Sequence, residues 1–297
     1  MVLYNPDWNI TCEAIDSLAS QVDSLCIVDN TQEAENSSRF VGRNNIHYIP
    51  LRSNKGIAAA QNVGIRYLTD LRFQYILFSD QDTLAPTGIV KELLSDFLRL
   101  KENGFNIGLI GPVPVNKTTG KPYASKIPSI NKIECDGNQY DECSYIISSF
   151  SLIPTQSFKD AGAFREDFFI DFVDNEWCFR LHSLLGLSPF ISHRLSILHE
   201  LGKSQKFLGK QVNISSPFRL YYQIRNYFWI RQLNYVPSAW LSQVRNKLIP
   251  KIAYYSIVPK QRFSYIKSIL RGIHDGIKTN RNRTKFNPPK INPPYEC

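Results

Sequence analysis

The sequence predicts an α/β fold: a mostly parallel central sheet covered by helices, followed by a basic helical C-terminal region. Three observations predict it. Apolar runs of strand length alternate with helical periodicity through the first 115 residues, the pattern of strands joined by crossover helices. Several of these runs stop at polar or acidic residues, as "YILFSDQDT" (75–83) does, which suits buried strands that end at the carboxyl edge of a covered sheet. From about residue 216 only helical spacing remains, and the charge changes sign. Residues 201–297 hold 18 Lys and Arg against two acids, Asp275 and Glu296, whereas residues 1–200 hold 17 basic and 24 acidic residues.

Element by element, "MVLY" is a strand fragment and "PDWNITCEAIDSLASQ" a helix. "SLCIVDN" and "NIHYIPL" are strands, and "GIAAAQNVGIRYLTD" is a helix with Gly56 at its start. "QYILFSDQD" is the next strand. It leads into the helix "PTGIVKELLSDFLRLKEN", with Pro86 in its first turn, and the strand "IGLIGPVPV". Residues 116–142 are polar and read as loop. "CSYIISSFSLIP" reads as a strand, "FVDNEWCFRLHSLLG" as a helix ending at Gly186, and "FISHRLSILHEL" as a strand. Three helices follow: "SPFRLYYQIRNYFWIRQLN", "PSAWLSQVRNKLI" and "QRFSYIKSILRGIHDGIK". The Pro- and Asn-rich tail from 281 reads as irregular. The predicted organisation is a main domain over 1–215, with halves at about 1–115 and 116–215, a helical region over 216–280 and the tail.

The 297 residues suffice for one large domain with an appendage. No apolar stretch approaches the ~18 residues of a membrane span, and the start lacks the charged and apolar blocks of a secretory signal. Six cysteines without metal-type spacing imply a reducing, cytosolic setting without disulfides. The basic end calls for an anionic partner: nucleic acid, lipid headgroups or a diphosphate-bearing substrate.

The chemistry-bearing positions cluster at strand ends. Asp80 and Asp82 flank Gln81, which can point away; two hard oxygen donors so placed either share a divalent cation or form a solvated turn. Asp29 in "CIVDNT" either accepts the N–H of a pyrimidine base or makes a turn. Asn54, Lys55 and Gly56 precede a helix whose free N–H groups favour phosphate, or which simply packs close on the sheet. "FFIDFVDNEWCFR" holds Asp171, Asp174 and Glu176 among aromatic residues; such surroundings raise a carboxylate's pKa toward that of a general base, although one acid of the three suffices to cap a helix. His199 ends a strand, where it either completes a metal site or is an ordinary polar residue. There is no G-x-G-x-x-G after the first strand and no P-loop.

Taken together, "YNPD" (4–7), "IVDNT" (27–31), "NKGIAAAQNVGI" (54–65), "DQDT" (80–83), "GAFREDFFIDFVDNEWCFR" (162–180), "LHELG" (198–202) and "YYQIRN" (221–226) resemble the family 2 glycosyltransferases of GT-A fold, in the rhamnosyltransferase-like subgroup. The resemblance covers about residues 1–230. It implies a nucleotide-sugar-binding fold and inverting sugar transfer dependent on Mg²⁺ or Mn²⁺. It favours dTDP-L-rhamnose as donor, with a UDP-sugar-dependent hexosyl- or N-acetylhexosaminyltransferase as the alternative. The implied acceptor is a lipid-linked oligosaccharide of bacterial O-antigen or another surface polysaccharide, reached from the cytoplasmic face of the inner membrane by a peripheral enzyme. It further implies that Asp29 and Asn54 line the base pocket, that Asp82 ligates metal with Asp80 on metal or ribose, and that Asp174 is the base that activates the acceptor. Asp171, Glu176 and Arg225 would contact substrate, and His199 would lie near metal and diphosphate. The chain departs from the pattern at Val173, where many relatives carry Glu, and at Ser149-Phe150, where Ser-Gly is common, a change expected to reshape the acceptor pocket. Its first strand is short, so the chain is expected to start a few residues late. Against the enzyme reading stands a basic nucleic-acid-binding protein, which no standard motif supports.

Overall fold

The computed structural model describes residues 1–117, 120–122, 129–199, 204–207 and 210–278. Its first half alternates as expected: β1 (Val2–Leu3), α1 (Trp8–Ala19), β2 (Leu25–Asp29), β3 (Ile46–Pro50), α2 (Ile57–Asp70), β4 (Tyr75–Leu77), α3 (Ile89–Glu102) and β5 (Ile107–Asn116). Asp7 caps α1 by accepting from the Asn9 N–H at 3.0 Å. The chain continues through β6 (Ser129–Cys135), β7 (Asn138–Cys143), β8 (Leu152–Pro154), α4 (Thr155–Ala161), α5 (Val173–Leu185), β9 (Ser188–His199), β10 (Ser204–Phe207) and β11 (Lys210–Asn213). It closes with α6 (Pro217–Ile230), α7 (Ser238–Ile257) and α8 (Arg262–Lys278).

The strands form two main sheets. β1, β2 and β3 pair in parallel. The second sheet runs β4-β8-β5-β9-β7-β6 and is mixed: β5 and β9 are parallel, and its other pairs are antiparallel. The parallel pattern predicted for the whole sheet thus holds among β1–β3 and between β5 and β9, and gives way at β4, where β8 inserts between β4 and β5. The stretch 116–142, expected as loop, contains β6 and most of β7. They join through Asp136 and Gly137, both at positive φ (47° and 72°), as a two-residue hairpin turn requires. "CSYIISSFSLIP" contributes only Leu152–Pro154 as strand. α7 continues past its predicted end at Ile249 and runs through Pro250 to Ile257.

Two apolar clusters fill the body. One lies among α2, α4, α5 and the second sheet around Phe158, Phe164, Phe168 and Trp177; the other joins α1 and α3 to the strands around Leu93, Phe97, Ile110 and Phe190. Asp96 is fully buried on α3, a costly place for a charge unless it is paired and hydrogen-bonded. It accepts from Ser192 Oγ (2.6 Å), Tyr140 OH (3.0 Å) and Arg99 Nη1 (2.6 Å), and so ties α3 to β7 and β9. A cleft of about 560 Å³ is lined by Met1, Leu25, Cys26, Ile76, Leu77 and Leu94 among others. The Met1 ammonium donates to the Cys26 carbonyl at 2.8 Å there, and burial lowers its pKa. The five described cysteines are unpaired, and no described helix is long and apolar enough to cross a membrane.

Candidate active site

The loops after β1, β2 and β4 are stitched together at the carboxyl edge. Gln81 does turn away from its two aspartates: its Oε1 accepts from Tyr4 N–H (2.8 Å) and its Nε2 donates to Tyr4 O (3.3 Å). Asn5 N–H in turn donates to Thr31 Oγ1 at 2.8 Å. The strand predicted to reach Ser79 or Asp80 ends at Leu77, but Phe78 still exchanges backbone bonds with Ser151 and Phe150 (3.1 and 2.8 Å). Asp80 is therefore delivered by a paired backbone. Asp80 is half-buried and Asp82 exposed.

Asp29 ends β2 and is fully buried. Its carboxylate accepts from Tyr48 OH (2.8 Å), Asn36 Nδ2 (3.1 Å) and Thr31 N–H (3.0 Å). Burial and that carboxylate push the Tyr48 phenol up to about 12. Asp29 thus ties β3 and the loop after β2 to the end of its own strand. Asn54 Oδ1 accepts from Asn30 Nδ2 (3.1 Å) and from Gly56 N–H (3.0 Å).

At the start of α2 the first N–H of the helix is already taken. Ile57 N–H donates to Phe169 O at 2.8 Å, so the turn ahead of α5 occupies it. Gly56 has φ +88°, and a Cβ there would lie 2.6 Å from Phe169 O. Gly56→Ala is expected to destabilise by about 1–3 kcal/mol through backbone strain and forced separation of α2 from this turn. A urea titration reads it; an unchanged midpoint would show that the turn yields freely.

That turn carries the acidic segment. Phe169, Asp171 and Phe172 all have positive φ (65°, 65° and 66°), a conformation bulky residues adopt only when their surroundings impose it. Here α6 imposes it. Asn226 Nδ2 donates to Phe168 O (2.8 Å), Ile170 O (2.8 Å) and Asp171 O (3.1 Å). Arg225 Nη2 donates to Asp167 O (2.6 Å) and Phe168 O (3.1 Å), and the guanidinium lies 4.0 Å from the Trp229 ring centroid. Phe169 stacks on Tyr222 at 4.7 Å. Arg225, expected to contact substrate, is thus committed to the backbone of this turn.

Asp174 sits in the first turn of α5 and accepts from Ser148 N–H at 3.0 Å. Its pKa is raised, first by burial and then by the charges of Asp80 and Asp171, against the lowering effect of the Ser148 bond. Asp80 and Asp171 thus lie close enough for their charges to act on Asp174. Asp171 accepts a two-pronged contact from Arg219 (Nη2–Oδ1 2.9 Å, Nε–Oδ2 3.1 Å). Near them Lys251 donates to Ser215 Oγ (2.8 Å) and Gln223 Oε1 (2.6 Å), and burial lowers its pKa to about 8.

Glu176, expected to face substrate, points the other way. It is fully buried and receives Arg180 Nε (2.9 Å) and Nη2 (3.0 Å) and Tyr235 OH (2.5 Å). Two residues beyond Asp174 on a helix is a different face. Val173 is buried in the core beside it. Phe150 lies at φ +56° with its ring fully buried in the core cluster that holds Ile110, Leu152 and Phe190. The side chain of His199 lies outside the described residues. Among the described residues no three His, Cys, Asp or Glu stand close enough to hold a metal ion by themselves. Arg219, Asn226 and Lys251 were not singled out from sequence; "YYQIRN" marked the helix but not which of its side chains reach the acids.

Residues 1–162 match the family described as Glycosyl transferase family 2. The chain is also 30% identical over 295 residues to the dTDP-rhamnosyl transferase RfbF of Shigella flexneri, covering 97% of each. The protein belongs to glycosyl transferase family 2. It is 25% identical over 175 residues, 55% of each chain, to the low-salt glycan biosynthesis hexosyltransferase Agl10 of Haloferax volcanii. Its fold resembles the crystal structure of S. aureus TarS 1-349 in complex with UDP-GlcNAc (TM-score 0.56, 13% identity, 92% of this chain and 80% of that one). It also resembles GalNAc-T7 with UDP, GalNAc and Mn²⁺ (TM-score 0.52, 10% identity, 89% and 56%). The enzyme reading, sugar transfer in polysaccharide biosynthesis, is thereby taken over the nucleic-acid one.

Proposed function

We propose that this glycosyltransferase moves L-rhamnose, with inversion, from dTDP-L-rhamnose to a lipid-linked glycan acceptor at the cytoplasmic face of a bacterial inner membrane. The donor reading is carried by the near-full-length relation to a dTDP-rhamnosyl transferase. The catalytic reading rests on Asp174, whose carboxylate shares the edge with Asp80 and is held toward the site by Ser148. Asp174 takes the proton of the acceptor hydroxyl as its oxygen attacks the anomeric carbon; the bond from that carbon to the diphosphate breaks, and the sugar configuration inverts. Asp171 and Arg219 flank the acceptor side, and the closed backbone bonds of the 167–171 turn keep the base in position.

The donor set fits a divalent cation. Asp80 and Asp82 offer hard carboxylate oxygens at one edge, and Mg²⁺ is commonly held by one or two carboxylates together with substrate phosphates and water. Mg²⁺ or Mn²⁺ held by them would neutralise charge on the leaving diphosphate. Calorimetric titration of dTDP is expected to show binding that weakens at least tenfold on adding EDTA or in Asp82→Ala; equal affinity in all three would remove the cation from this edge.

The test of function is release of dTDP and labelled transfer across dTDP- and UDP-sugars, with extracted lipid-linked glycan as acceptor. Turnover restricted to dTDP-L-rhamnose is expected. Preference for a UDP-hexose or UDP-N-acetylhexosamine would replace the donor and leave the family chemistry in place.

A further inference from the structure

We propose that the outer face of α8, together with the α7–α8 turn, is the surface that docks this enzyme on an anionic lipid bilayer. The helix has two unlike faces. Ile269, Gly272 and Gly276 are buried, and Tyr265 and Ile273 join them in a cluster with Leu220, Ile224 and Tyr255. The glycines allow this approach: a Cβ at Gly272 would lie 2.9 Å from Tyr221 O, and one at Gly276 2.7 Å from Phe228 Cβ. One half of the helix surface therefore packs on the protein itself.

The other half does not. Phe263, Leu270 and Ile277 are 75%, 62% and 53% exposed. They are seven residues apart, which places them on one stripe about 20 Å long. At its start the turn adds Ile257 and Val258, 65% and 49% exposed. Exposed Lys260, Arg262, Lys267, Arg271 and Lys278 border the stripe. The single acid of this segment, Asp275, accepts from Tyr221 OH at 2.8 Å and pairs with Arg271 (3.5 Å) and His274 (3.0 Å), so its charge is already met within the protein.

An apolar stripe edged with cations matches an interfacial helix lying among anionic headgroups. A second copy seated face to face would set one cationic border against another, which the charge disfavours. The surface is also coupled to the site: α8 rests on α6, and α6 holds the 167–171 turn through Arg225 and Asn226. Docking would thus fix the height of the acidic edge above the headgroups. This consequence rests on the lipid-linked acceptor proposed above; the docking itself does not.

The full chain is sedimented with vesicles of phosphatidylcholine alone and of phosphatidylcholine with phosphatidylglycerol, at low and high salt. Binding only to the anionic vesicles, weakened by salt, is expected. Phe263→Asp with Leu270→Asp is expected to lower the apparent affinity at least tenfold, and Lys267→Gln with Lys278→Gln to lower it while flattening the salt dependence. Melting temperature and dTDP release should match the parent in both, since none of these residues touches the site. Absence of binding to anionic vesicles, or binding by both variants equal to the parent's, overturns the proposal. So does sedimentation velocity showing a dimer, or a complex with an added acidic protein, that the Phe263/Leu270 variant alone dissolves. Transfer to a soluble acceptor, assayed separately, decides the proposed reaction whatever the vesicles show.

Discussion

Asp174→Asn is expected to lower the rate of sugar transfer by about 10² to 10⁴, the usual cost of losing a general base, while leaving dTDP affinity near that of the parent. The asparagine keeps the shape and can still accept from Ser148 N–H, the 3.0 Å contact that holds the side chain in place. What it loses is the ability to take a proton. The same substitution has a predictable sign in stability. Burial and the charges of Asp80 and Asp171 raise the Asp174 pKa in the folded chain, so the folded state holds this proton more tightly than the unfolded one. That contribution is present below the ordinary carboxylate value and is lost as pH rises through the raised one. Above that raised value the ionised Asp174 is therefore a burden that asparagine lifts, and there the variant should melt no lower than the parent.

The pH profile of transfer follows from the same group. Rate should rise with pH through a value above the ordinary carboxylate range and then level off, and the limb should vanish in the residual activity of the variant. Normal transfer by Asp174→Asn, with Asp171→Asn inactive, would move the base to Asp171 and make Asp174 an anchor for the Ser148 loop.

The parts of this site that were legible in sequence are those written in strand-to-loop transitions. "CIVDN" and "YILFSD" each place an acid where an apolar run must stop, and the fold puts both ends on one edge. The acidic segment was legible as a cluster but not as a division of labour. Helical spacing held the missing signal: Glu176 lies two residues from Asp174 but four from Arg180, the spacing of an ion pair. The polar hairpin of β6 and β7 was missed because "SINKIEC" is mostly exposed and carries no clear apolar alternation; Asp136-Gly137 was its one strong mark. In α6 the sequence offers Arg219 and Arg225 with equal chemistry. Only packing decides that Arg225 serves the backbone of the turn while Arg219 meets Asp171.

The second large effect tests that division. Glu176→Ala is expected to destabilise the protein by about 3–5 kcal/mol, because it strands the buried Arg180 charge rather than merely deleting a contact. Arg180 is 2% exposed, and its other partners are the carbonyls of Ala161 and Ala163, which give it hydrogen bonds but no countercharge. Tyr235 would lose its acceptor as well. Domains are stable by about 5–15 kcal/mol in total, so the loss should be plain in urea as a large fall in midpoint with the slope retained. Tyr235→Phe leaves the ion pair intact and should cost only about 1 kcal/mol. Below the unfolding transition the Glu176→Ala protein should still bind dTDP, since Asp29 and Asn54, the residues proposed to meet the base, lie on other elements. The decisive comparison is with Asp174→Asn. One variant should lose stability and the other should lose rate. If Glu176→Ala melts like the parent yet fails to transfer sugar, Glu176 reaches the substrate after all and the inward ion pair is not its role.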